Sequence, residues 1–170
     1  MSINTGREGH TYAPAAPYQV SREAISEFAA AVKATHPAHF DLDAARGLGH
    51  RDLVAPPTFA VVIAQRAEAA VVNDEQAGID FSRVVHAEER FTHQAPIVAG
   101  ETLSAQTTLG RIRVMGSGAM VTTVTEIHDE DGSRRATVTS SLLVRTDEAT
   151  DEATDDTADD TAHDDAEEPL

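Results

Sequence analysis

Val54-Ala55-Pro56-Pro57-Thr58-Phe59-Ala60-Val61-Val62-Ile63-Ala64 is the stretch that decides the fold. Proline lacks an N–H but is tolerated in the first turn of a helix, where the N–H groups have no intrahelical partner. The spacing therefore predicts a helix over Thr58 to Val72. Its first half is apolar on nearly every side, and polar side chains begin only at Gln65, Arg66 and Glu68. A helix that starts apolar all round is one that other elements must cover.

Working outward, the downstream half supplies the cover. Asn73 to Gly78 reads as a connecting loop. Beyond Ser82 the texture changes to strands: Val84 to Phe91, Thr102 to Val114, Ala119 to His128, and Arg135 to Arg145. Pro96 and Gly100 separate the first two, Gly116-Ser117-Gly118 turns the second, and Asp131-Gly132 is a hairpin signal before the last. Upstream, Tyr18-Gln19-Val20 is extended and Ser21 can cap a helix with Glu23 in its first turn. Ala24, Ile25, Phe28, Ala29 and Val32 follow at helical spacing. That helix is expected to end near Ala34, because Pro37 disfavours helix at His36. Asp41 can cap a second, short helix from Leu42 to Leu48 that Gly49 terminates. Helices first, one long buried helix, then four long strands read as α+β, with an antiparallel sheet wrapped around a central helix.

Composition narrows the function classes. The 170 residues carry a net charge of −16, yet residues 147–170 alone hold 12 acids and no Lys or Arg. Residues 1–146 have 17 acids against 13 bases, a balance of −4. The tail repeats DEAT-DEAT-DDTA-DDTA and is expected to be disordered, either as a solubilising segment or as an arm for a basic partner. Residues 1–11 read as a flexible arm, which leaves 12–146 as the folded domain. There is no cysteine, so disulfides, thiolate metal sites and a cysteine nucleophile are excluded. No basic stripe suits nucleic acid, no apolar run suits a membrane span, and the first ten residues lack the apolar core of a signal peptide. A cytoplasmic location is the expectation.

Three ordered segments carry a family resemblance: His36-Pro37-Ala38-His39-Phe40-Asp41 with Ala44-Ala45-Arg46-Gly47-Leu48-Gly49; Val54 to Phe59; and Phe91-Thr92-His93-Gln94-Ala95-Pro96-Ile97-Val98-Ala99-Gly100-Glu101-Thr102-Leu103. Together they resemble the MaoC-like dehydratase family of hotdog-fold proteins, and most closely its small subunits with the N-terminal dehydratase domain. The resemblance implies a five- or six-stranded sheet around the helix and the pairing of two hotdogs, in a homo- or heterodimer. The implied substrate is a 3-hydroxyacyl chain on acyl-carrier protein or coenzyme A, in fatty-acid elongation, with no cofactor and no metal. Catalytic members carry Gly-Asp-x-Asn-Pro-x-His. With Pro37 as anchor the histidine falls on His39, the asparagine position on His36, the aspartate position on Ala34 and the glycine position on Lys33.

Dehydration removes a proton from C2 and hydroxide from C3, so a base near neutral pKa is needed and the leaving oxygen must receive a proton. His39 suits the first task. Thr58 and Phe59, opening the long helix, are the candidate substrate-binding residues, through an N–H and the helix dipole acting on the thioester oxygen. Alanine at position 34 can neither give nor take a proton. Asp41, two residues beyond His39, is a possible substitute, although its capping role is the simpler one.

The expectation is a subunit that completes the acyl-chain channel, along Phe59 to Ala70, for a catalytic hotdog partner. The alternatives are a non-catalytic acyl-thioester-binding homodimer and a thioesterase using Glu68, the one acid of the central helix. His86 and His93, seven apart, are expected on opposite sides and not as a metal pair. His36 and His50 are expected on exposed loops. Ser117 lies in a Gly-Ser-Gly hairpin and not at a strand-to-helix turn, so it is no nucleophile elbow.

Overall fold

The computed structural model describes residues 3–116 and 118–145. The acidic repeat and Ser117 lie outside the described residues. The elements are β1 (Tyr18–Gln19), α1 (Arg22–Ala31), α2 (Leu42–Gly47), α3 (Ala60–Val72), β2 (Val84–His93), β3 (Thr102–Met115), β4 (Gly118–His128) and β5 (Arg134–Arg145), with short 3-10 turns between them.

The strands form one antiparallel sheet in the order β1-β3-β4-β5-β2. It curls around α3, as the α+β expectation requires. The fifth strand is the extended Tyr18–Gln19, paired with Thr102 and Leu103. Alternation sets the inner face: Leu103, Ala105, Thr107 and Leu109 on β3, Val121, Thr123, Thr125 and Ile127 on β4, and Ala136, Val138, Ser140, Leu142 and Val144 on β5 are all buried. A register shift between Leu109 and Ile112 carries the buried positions of β3 from odd to even numbers.

The core divides in two along α3. Phe59, Ala60, Ile63, Ala64 and Ala67 pack with Val20, Ile25, Leu103, Ile127 and Val138. Val71 packs with Leu109, Val121, Leu142 and Val144. The small residues at 60, 64 and 67 let the helix lie close to the sheet. Contrary to the all-round burial expected of its first half, α3 buries one stripe: Val61 and Val62 are only half-buried, and Gln65 and Arg66 are exposed. The α-helix proper also begins at Ala60, because Pro57–Phe59 form a 3-10 turn.

Upstream, Ser21 caps α1 by accepting the Ala24 N–H, and Asp41 caps α2 by accepting the Ala44 N–H. Helix α1 ends at Ala31, three residues earlier than expected. Lys33 takes a left-handed φ of 58°, and the N–H groups of Lys33 and Ala34 donate to Ala30 and Ala29 carbonyls. This is the hydrogen-bond pattern by which a glycine usually closes a helix, here made by a lysine.

Within the stretch 1–11, expected to form a flexible arm, residues 4 and 7–9 are tied to the folded domain. The Asn4 N–H donates to Ala77 O, the Gly9 N–H to Leu109 O, and the Ile112 N–H to a Glu8 carboxylate oxygen. Arg7 and the Tyr12 hydroxyl both donate to Asp74 Oδ2. Backbone groups and charged or polar side chains supply these anchors, so the hydropathy of the segment gives no sign of them.

Candidate active site

The end of α1 throws the chain into a 3-10 turn, Pro37–His39. His36 caps it, its Nδ1 accepting the Ala38 N–H at 3.2 Å. His39 closes the turn and is nearly buried, at 9% exposure. Its backbone carbonyl accepts the Ser26 hydroxyl, and its Nδ1 lies 2.6 Å from the carbonyl oxygen of Val54. A carbonyl can only accept, so Nδ1 carries the proton and Nε2 the lone pair. The neutral ring is thereby held in the tautomer that leaves Nε2 as a base.

Val54 is fixed from several sides. Its N–H donates to Ala38 O, and it bridges Val98 in antiparallel fashion. The Val98 N–H in turn donates to Glu101 Oε2 at 3.1 Å. Glu101 is buried, and its other oxygen lies 2.9 Å from Arg135 and 3.4 Å from Arg51. On the α1 side Arg22 grips both oxygens of Asp52, at 2.8 and 2.7 Å. That guanidinium holds the Asp52 carboxyl at about 2, well below the ordinary range. These ion pairs clamp the segment whose carbonyl sets His39.

A cavity of about 470 Å³ opens beside His39. Its wall combines four imidazoles, His36, His39, His50 and His93, with prolines and aliphatic groups from two chain segments. Among the described residues no Asp or Glu lines it. Asp41 is spent on its cap and stays out of the cavity, so it does not replace the missing acid. Among the described residues no group of three or more His, Cys, Asp or Glu is placed to hold a metal ion.

The expected substrate-binding pair fares unevenly. Phe59 is 1% exposed; its ring packs edge-on against Phe28 at 5.4 Å, and its N–H donates to Pro56 O. It is a core residue with its donor already used. Thr58 is exposed in the same turn, where N–H groups lack intrahelical partners, but it does not line the cavity. The cavity sits at the N-terminal end of α3, and none of residues 60–72 lines it. The channel expected along the helix is thus not part of this cavity.

Two residues expected on loops, His36 and His50, reach the cavity, and so does His93 at the end of β2. His93 Nε2–H donates to Pro57 O at 2.8 Å, joining the edge strand to the Pro-Pro turn. The only sequence signal for this was the separate resemblance of the 36–41, 54–59 and 91–103 segments, which the fold brings to one place. His86 belongs to a second, smaller cavity of about 270 Å³ with Glu68. There Glu68 Oε1 accepts the hydroxyls of Thr123 and Ser140, at 2.7 and 2.9 Å.

A sheet curled around one helix, with an oriented histidine at a cavity beside the helix start, defines a hotdog-fold protein of the MaoC-like dehydratase class. The chain belongs to the family described as FAS1-like, dehydratase domain region, whose model matches residues 7–138. It is 46% identical to a UPF0336 protein of Leifsonia xyli subsp. xyli over 87% of this chain and 99% of that protein. It is 40% identical to one of Streptomyces coelicolor, over 87% of this chain and 99% of that protein. Among solved structures it resembles a MaoC-like dehydratase at 33% identity and a TM-score of 0.77; the match covers 83% of this chain but only 43% of that one. The chain thus spans less than half of that structure. It also resembles the C-terminally truncated HadBC (3R-hydroxyacyl-ACP dehydratase) complex of Mycobacterium tuberculosis, at 29% identity and a TM-score of 0.71, over 81% of this chain and 96% of that one. Among the described residues no helix is long and apolar enough to cross a membrane.

Proposed function

We propose that the chain is a subunit of an (R)-specific 3-hydroxyacyl-thioester dehydratase of fatty-acid elongation, working in the cytoplasm beside a second hotdog that carries a complete Asp/His dyad. The observation that carries this reading is His39, held as a base on a cavity of about 470 Å³ that no carboxylate of the described residues lines. The acyl thioester, on acyl-carrier protein or coenzyme A, enters that cavity at the start of α3, with the N–H of Thr58 as the candidate donor to its carbonyl. The half-buried Val61 and Val62 and the outer edge of β2, which among the described residues pairs only with β5, are the surfaces a partner would cover. The resemblance to the HadBC complex supports the pairing.

Loss of one acid–base partner costs roughly 10²–10⁴ in rate. Expressed alone, the chain is expected to hydrate crotonyl and longer enoyl thioesters at least that far below its complex with a motif-bearing partner. Full activity of the lone chain, abolished by His39→Ala, would sink the partner-dependent reading. Retention of acyl thioesters in calorimetry without hydration in any mixture would favour a non-catalytic binding protein. Release of free thiol would favour a thioesterase.

A further inference from the structure

Three of the cavity's imidazoles have one nitrogen tied to the backbone, and the polarity of each backbone group decides the tautomer of the neutral ring. His39 Nδ1 and His93 Nε2 face the carbonyls of Val54 and Pro57, so those nitrogens carry protons. His36 is the opposite case. Its Nδ1 accepts from the Ala38 N–H, so it holds the lone pair and the proton is on Nε2. His36 and His39 are also neighbours, with ring centroids 5.8 Å apart and planes at 63°. The cavity therefore offers a fixed N–H donor beside a fixed imidazole base, although the aspartate position is alanine.

We propose that His36 is a second catalytic group of this chain's own cavity. The proposal rests on the reading of the chain as a thioester dehydratase subunit. His39 Nε2 takes the C2 proton of the 3-hydroxyacyl thioester, and the C–H electron pair moves into the C1–C2 bond as the carbonyl oxygen gains charge. His36 Nε2–H hydrogen-bonds that oxygen, as a neutral imidazole can. The electrons then return to form the C2–C3 double bond as the C3–O bond breaks. The departing hydroxyl takes the proton from His39 and leaves as water. One imidazole performs both proton transfers, and the other stabilises the oxyanion without being consumed.

His36 also caps the turn that carries His39, so its removal has a structural consequence that must be separated from a catalytic one. Serine is a good N-cap but is too short to reproduce the Nε2–H. The experiment assays enoyl-thioester hydration by the full chain alone, as wild type, His36→Ala, His36→Ser and His39→Ala, together with the wild-type complex with a motif-bearing hotdog. Slow hydration by the lone wild type is expected, lost in His39→Ala. In both His36 variants kcat is expected to fall by roughly 10²–10³ with little change in KM, while His36→Ser keeps the wild-type melting temperature. A His36→Ser chain with wild-type kcat would reduce His36 to a cap and overturn the proposal. Inactivity of the lone chain beside an active complex would overturn it too and leave the subunit reading standing. Inactivity of both would remove the dehydratase reading, and the proposal with it.

Discussion

Lys33 is the residue at which sequence and backbone disagree most. A side chain with a Cβ in the left-handed region costs roughly 1–2 kcal/mol, a cost glycine avoids. With φ at 58°, Lys33 bears that cost at the point where the family motif has glycine. Lys33→Gly is therefore expected to stabilise the protein by about 1 kcal/mol, raising the melting temperature by a few degrees in calorimetry. The place of His39 on the turn after α1 follows from the Pro37 anchor, because a motif fixes spacing. Its tautomer does not, because that depends on Val54, fifteen residues away in sequence. His93 lies on the strand and apart from His86, as read; its bond to Pro57 was not legible, because strand parity says which face a residue takes but not what the strand end meets.

Element boundaries were legible where a local rule governs them. Asp41 and Ser21 start their helices as read, and β3, β4 and β5 match their predicted spans to within a residue at each end. Register shifts were not read, although Gly110 inside the β3 pattern is the kind of residue that marks one. On α3 the small seam makes a specific demand. Ala64 is fully buried against the sheet, so Ala64→Leu is expected to cost about 1–3 kcal/mol in denaturant unfolding. The clamp between α1 and the Val54 segment carries a pH signature. The Asp52 carboxyl, held at about 2, contributes stability that is full above its unfolded value near 4 and is lost as pH falls through about 2. Arg22→Ala is expected to flatten the acid limb of the stability profile between those values, as followed by thermal melts.

The molecule as a whole is closed at one end by its own first residues. Ile3 and Tyr12 pack on the second half of the core, and the Tyr12 hydroxyl rests on Asp74. Burial, aided by that carboxylate, pushes the Tyr12 phenol up to about 12. A raised phenol contributes stability below its unfolded value near 10 and loses it as pH climbs toward 12. Tyr12→Phe is expected to remove that part of the alkaline loss, so the melting temperatures of the two proteins should converge as pH rises through this window. Composition shows the charge asymmetry of the chain but not the ties of this segment, since its anchors are backbone groups and polar side chains meeting partners far along the sequence. The tie from Glu8 to Ile112 spans 104 positions, and that from Tyr12 to Asp74 spans 62. The ties of Glu8 and Gly9, then, cannot form until β3 is in place. Contacts of such separation are slow to form, because loop-closure entropy is spent before they reward it. The strap should be a late event in folding, with Tyr12 and Glu8 variants speeding unfolding and leaving the refolding rate nearly unchanged in stopped-flow experiments.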